Sequence, residues 1–181
     1  HKGENYNTSI GQGFTLVTPV QMAVYVSSLL NGGKIMKPLL VDSDEPVVTA
    51  MAPSTEKERK FMVEAMRQTV YDARGTAKRI LRTDAVMGGK TGTAQVIRLG
   101  DVRVKTEEMA YEHRDHAWMV SWGIKGEQKY VVVVMVEHGG GGSSAAGPVV
   151  KAVYDHLFAE NAAAPKAVTA SGMVPQDTGV D

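Results

Sequence analysis

Lys90-Thr91-Gly92-Thr93 puts a cation, two hydroxyls and a residue without a side chain within four positions. Two chemistries use such a set. A phosphate-cradling loop ends in Gly-Lys-Thr, which Gly89-Lys90-Thr91 supplies. A strand bordering an acyl-transfer site carries Lys-Thr-Gly, which Lys90-Thr91-Gly92 supplies. The surrounding residues separate the two. The phosphate loop needs a first glycine where Asp84 stands, and a carboxylate there repels phosphate. It also needs a helix after the lysine, whose N-terminal N–H groups hold the anion. Gly92 and the alternating threonines favour extended chain instead. In extended chain Thr91 and Thr93 share a face and can donate hydroxyls to a carboxylate. Lys90 then supplies fixed positive charge for a proton relay and an anionic substrate. Gly92 lets a substrate backbone approach the strand edge. The Thr93 N–H can serve as one donor of an oxyanion hole.

The elements that must position these residues follow from pattern. Thr18-Pro19 reads as an N-cap and first helical position, and apolar residues recur to Leu30, so a mostly buried helix is expected from Pro19 to Leu30. Lys34 to Val41 is a short strand or arm limited by Pro38. Ser54 to Tyr71 is a second helix with a Thr55–Glu58 capping box and a buried stripe of Phe61, Met62, Ala65, Met66, Thr69 and Val70. Gly75 ends it, with one or two more turns over Thr76 to Leu81. Three strands follow, over Lys90 to Ile97, Ala117 to Ile124 and Tyr130 to Glu137, with a polar loop from Leu99 to Asp115. Short connections make them an antiparallel meander. A last helix runs from about Ser144 to Phe158. The fold class is therefore α/β of the α+β kind: an antiparallel sheet flanked by helices, in one domain over residues 1–160. Residues 161–181 are expected to be a disordered tail.

Composition narrows the classes. The 181 residues are 43% hydrophobic, and 20 basic residues balance 20 acidic ones. A neutral chain gives no electrostatic reason to expect nucleic acid. There are no cysteines, so disulfides and cysteine-based metal sites are excluded. No apolar run approaches the roughly 20 residues that span a bilayer. The chain opens on His1, and we read it as a piece of a longer polypeptide. Val131 to Val136 is apolar on both faces. Such a strand belongs in the middle of a sheet, and as a free edge it is an aggregation hazard. Its second partner strand is expected upstream of His1.

Beyond the Lys-Thr-Gly box, a series of segments resembles the class B penicillin-binding proteins. They are Asn7 to Gly13, Val17 to Ala23, Asn31-Gly32-Gly33 with Pro38, Gly75-Thr76-Ala77 and Lys90 to Gln95. His116-Ala117-Trp118, Gly123, and Gly139 to Gly142 with Ala145, Ala146 and Pro148 continue the series. The match runs from about Asn5 to Phe158 and looks most like penicillin-binding protein 2, the elongation-type peptidoglycan D,D-transpeptidase subfamily. The resemblance implies the C-terminal part of a serine transpeptidase domain of the β-lactamase-like fold. It implies a peptidoglycan stem peptide ending in D-Ala-D-Ala and β-lactams as partners, and no cofactor. It also implies a periplasmic domain at the bacterial inner membrane, anchored upstream of this chain. Lys90 and Thr93 would be catalytic, and Thr91, Gly92 and Thr93 would bind substrate. A non-catalytic penicillin sensor of the same fold is the alternative, and an NTPase a remoter one.

The family's nucleophile is the serine of S-x-x-K, and a second box is S-x-N. Ser54-Thr55-Glu56-Lys57 matches the first literally, but in the very polar STEKERK stretch it reads as a helix cap. No S-x-N occurs. No nucleophile is therefore expected in this chain, which alone should be inactive. His113 and His116, near Glu112 and Asp115, have a spacing that could hold zinc on a helix. In a loop running into a strand they read as structural, and no metal is expected. His138 and His156 read as incidental, the ten methionines as core fillers, and Arg98 and Arg103 as solvated loop cations. Trp118 and Trp122 share one strand face and are expected to pack under a helix, with one bordering the cleft as the alternative.

Overall fold

A computed structural model describes residues 2–41, 45–97 and 104–159 of the chain. The expected tail, Arg98 and Arg103 lie outside them. Helix α1 covers Lys2–Ser9, α2 Pro19–Leu30, α3 Glu56–Tyr71 and α4 Gly147–Leu157. Strands β1 (Lys34–Met36) and β2 (Val48–Met51) form a small antiparallel hairpin, and β3 (Val86–Ala94), β4 (His116–Lys125) and β5 (Gln128–Val136) form an antiparallel sheet in the order β3-β4-β5. Single turns of 3-10 helix occur at Lys78–Ile80, Thr106–Glu108 and Tyr111–His113.

Helices cover both faces of the sheet. On one face Met87, Met119 and Val132 meet Val150, Tyr154 and Phe158 of the α4 segment, with Ala77 and Ile80 beside them. On the other, Trp122 packs with Val26 and Leu29 of α2 and Met66 of α3. The alternation along β4 assigns Met119 and Ser121 to the first face and Trp118 and Trp122 to the second. Trp122 is buried under α2 and α3 as expected, and Trp118 is half-buried.

Both long N-terminal helices start where their caps stand. Thr18 and Gln21 form a capping box at α2, and Thr55 and Glu58 form one at α3. The burial of these helices departs from pattern. In α2 only Val26, Ser28 and Leu29 are fully buried, and Val20 and Tyr25 are exposed, so α2 is half-covered rather than mostly buried. In α3 Met66 and Val70 are buried, but Phe61 is 71% exposed, because the covered stripe reaches the first turns of the helix through Val63 instead. The methionines divide likewise: Met66, Met87 and Met119 fill core, whereas Met51 and Met62 are exposed.

The sheet also begins earlier than expected. β3 starts at Val86, not Lys90, and stops at Ala94 rather than Ile97. Gly88-Gly89 looks like a strand breaker, yet a Cβ at position 88 would lie 2.3 Å from the Trp122 ring, so the strand needs that glycine for the indole to cross it. β2 was invisible in the sequence because its four residues are all exposed and show no alternation; register with β1 makes it a strand. The last helix opens as a π turn, Gly142–Ala146, before α4.

Candidate active site

The decisive geometry is the long edge of β3 that faces away from β4. β3 pairs with β4 from Val86↔Ile124 to Ala94↔His116. In an antiparallel strand the N–H and C=O of one residue point to the same side, and the side alternates along the chain. Here the odd-numbered residues turn outward. Tyr71 Oη donates to the Ala85 carbonyl at 3.2 Å and accepts from the Met87 N–H at 3.2 Å. Thr69 Oγ1 donates to the Gly89 carbonyl at 2.5 Å, and Lys90 Nζ to the Thr91 carbonyl at 2.5 Å. Gln12 Nε2 donates to the Thr93 carbonyl at 2.8 Å, and the Gln95 N–H lies 3.4 Å from Gln12 Oε1. The Thr93 N–H therefore points to the same open edge.

The side chains divide by the same alternation. Thr91 and Thr93 share the face of Met87 and Gly89, and Lys90 lies on the opposite face, where it is exposed. The Thr91 hydroxyl donates to Thr76 Oγ1 at 3.0 Å, which ties β3 to the Gly75-Thr76-Ala77 turn. Gly92 turns its backbone inward to Trp118. A Cβ at 92 would sit 3.3 Å from Trp118 Cβ, and one at Gly142 would sit 2.5 Å from the Gly92 oxygen and 2.4 Å from the Trp118 oxygen. The π turn is thus laid directly on the β3–β4 ladder at Gly92.

This arrangement is not a phosphate loop. Lys90 lies inside a strand that continues to Ala94, and no helix follows it. Asp84 pairs with Arg82 at 2.8 Å and Lys125 at 2.9 Å, and these partners, Arg82 first, hold its carboxyl well below the usual carboxylate range. Ser54 takes no place beside β3 either. Its carbonyl and hydroxyl accept from Arg59 Nη1 at the start of α3, while Thr69, near the far end of that helix, touches Gly89. The thirteen helical steps from Glu56 to Thr69 span about 20 Å.

Residues 2–155 match the family model described as the penicillin-binding protein transpeptidase domain. The chain belongs to this transpeptidase family. Among curated proteins it is similar to the peptidoglycan D,D-transpeptidase MrdA of Haemophilus influenzae, 31% identical over 86% of this chain and 26% of the relative. MrdA of Salmonella typhimurium is 26% identical over 87% of this chain and 27% of the relative. The transpeptidase segment thus spans about a quarter of the length of these relatives. Two solved structures superpose with TM-scores of 0.65 at 28% identity. One is Pseudomonas aeruginosa PBP2 in complex with WCK 5153, over 95% of this chain and 37% of that one. The other is Helicobacter pylori PBP2 in complex with MreC, over 86% and 28%. The α+β architecture is that of these transpeptidase domains.

The transpeptidase segment holds partners that sequence reasoning left without a role. Gln12 lies in the Ile10-to-Gly13 motif, but nothing in its local sequence shows that it reaches β3, 81 residues away. In the sequence Thr69 shows only as part of a helix stripe, Tyr71 as a helix end and Gly142 as part of a glycine run before the last helix. His138 is not incidental. Its backbone N–H donates to His116 Nδ1 at 3.0 Å, its ring nitrogen lies 3.0 Å from the Arg114 carbonyl, and its φ is 52°. Its ring packs against Tyr111 and His116. His116 is thereby engaged in joining the ends of β4 and β5, and among the described residues no cluster of three His, Asp or Glu side chains could hold a metal.

Proposed function

We propose that this chain is the C-terminal portion of a serine-type peptidoglycan D,D-transpeptidase domain, and that the outward edge of β3 is one wall of its active site. The observation that carries the reading is the direction of the Thr93 N–H, which faces the open edge beside Lys90 and Thr91. In the complete protein a serine outside this chain attacks the carbonyl of the penultimate D-Ala of a stem peptide. The peptide bond breaks, D-Ala leaves with a proton on its nitrogen, and a serine ester forms. An amine of a neighbouring stem peptide then attacks the ester, releases the serine and completes the cross-link. β-Lactams acylate the same serine.

Each wall residue has a role suited to its position. The Thr93 N–H donates to the oxygen that becomes negative in the tetrahedral intermediate. Lys90 provides positive charge that favours proton removal from the nucleophile. The Thr93 hydroxyl binds the terminal carboxylate of the stem peptide, and the Thr91 hydroxyl joins it on turning from Thr76 Oγ1. Gly92 keeps the strand thin enough for a substrate backbone to lie along it. The surroundings of Ser54 argue against its being the nucleophile: its carbonyl and hydroxyl accept from Arg59 beside the Thr55 cap of α3, and it stands a helix length from Gly89. The segment upstream supplies the nucleophile boxes, the second neighbour of β5 and the membrane anchor that places the domain on the periplasmic face. Among the described residues no helix is long and apolar enough to cross a membrane.

Lys90→Ala in the complete protein tests the wall directly. Acylation by a fluorescent penicillin should fall by about 100-fold or more, the size of effect expected from removing a charge that acts on the transition state. Near-normal acylation would remove β3 from the active site.

A further inference from the structure

We propose that Gln12 is a positioning residue for acyl transfer, holding the end of β3 so that the Thr93 N–H keeps its aim. The inference rests on the reading of β3 as an active-site wall. Gln12 bonds both the Thr93 carbonyl, at 2.8 Å, and the Gln95 N–H, at 3.4 Å. A glutamine amide carries one carbonyl acceptor and an N–H donor, the same pair a backbone peptide offers. Spanning residues i and i+2 of a free strand edge, it stands in for a neighbouring strand for one step of the ladder.

The local chain is built to present this side chain. The Asn7 carbonyl accepts from both the Ile10 N–H, at 3.2 Å, and the Gln12 N–H, at 2.9 Å, closing the loop after α1. Gly11 and Gly13 flank Gln12 with φ of 80° and 102°, values that a side chain would strain. Gln12 is half-buried, while residues 10, 11, 13 and 14 are exposed. Helix α1 is exposed at every residue from Gly3 to Ser9 and contributes nothing to either core cluster. Burial of apolar surface therefore does not explain the contact. What it does is fix a carbonyl, and so the φ and ψ of Thr93, at the last turn-free step before β3 ends at Ala94. Without it the strand end frays, and the amide that meets the developing oxyanion loses its direction. A donor displaced by part of an ångström loses much of its value to the transition state but little to ground-state binding.

The test uses the complete transpeptidase containing this chain, with Gln12→Met and Gln12→Glu. Methionine keeps the length and loses both bonds. Glutamate keeps the acceptor for Gln95 and loses the donor to Thr93. Stopped-flow acylation with a fluorescent penicillin separates the non-covalent dissociation constant from the acylation rate constant. Both variants should acylate about 10-fold to 100-fold more slowly, with the dissociation constant within about twofold of the parent and an unchanged melting temperature. A parent-like acylation rate in either variant would overturn the proposal. So would a slower rate accompanied by parallel losses of binding and thermal stability, since that marks a merely structural contact. Lys90→Ala measured alongside separates the two levels: if it acylates normally, the β3 reading itself has failed, and if it alone is slow, only the role of Gln12 has.

Discussion

At the residue scale, the backbones of Gly92 and Gly142 approach too closely to admit a side chain at 142. The alanine Cβ at 142 would press on two carbonyl oxygens of the β3–β4 ladder, and a backbone cannot turn aside as a side chain can. Gly142→Ala should destabilise the domain by about 1–3 kcal/mol, the usual cost of overpacking, read from the midpoint of urea unfolding. An unchanged midpoint would mean that the π turn does not rest on the sheet. That Lys90 to Thr93 lie in a strand with Thr91 and Thr93 on one face was legible in the sequence, because the alternate spacing of the threonines carries the information. The partners of β3 were not. Thr69, Tyr71 and Gln12 meet its outward edge from 14 to 83 positions away, and no local pattern encodes such a meeting.

At the element scale, caps and periods identified most of the fold. Pro19–Leu30 is bounded by the residues expected, and the meander β3-β4-β5 follows from short connections between apolar runs. The errors have physical causes. Gly88 disguised the start of β3 because only its neighbour Trp122 requires it, and β2 exists through pairing rather than propensity. The ends of elements are also joined by charge. Arg82 binds Asp84 and Asp155, Lys125 also binds Asp84, and Lys151 binds Asp155, linking the approach to β3 with β4 and α4. Arg82 and Lys125 lower the folded-state value of Asp84 below its unfolded value of about 3.9. A depressed carboxyl stabilises the folded state above the unfolded value, and the contribution is lost as pH falls through the folded one. Asp84→Asn should therefore lower the urea midpoint at neutral pH and flatten its decline below about pH 4. A variant with the parent's acid limb would show that the network contributes no such stability.

At the scale of the whole molecule, the described sheet has an edge that its composition does not suit. Val131 to Val136 is apolar on both faces, Val132 is buried, and the far edge of β5 has no strand beside it among the described residues. The relatives are about four times as long as the matched segment, which is consistent with a larger sheet and with a nucleophile that lies elsewhere. The central claim is that this chain supplies a wall, and not the attacking serine, of a transpeptidase site. Peptide mapping by mass spectrometry of the complete protein after acylation with penicillin tests it most directly. The account predicts one acylated serine outside these 181 residues, with its yield nearly abolished by Lys90→Ala. Acylation of a serine within the chain, Ser54 above all, or full yield in the Lys90→Ala protein, would contradict it.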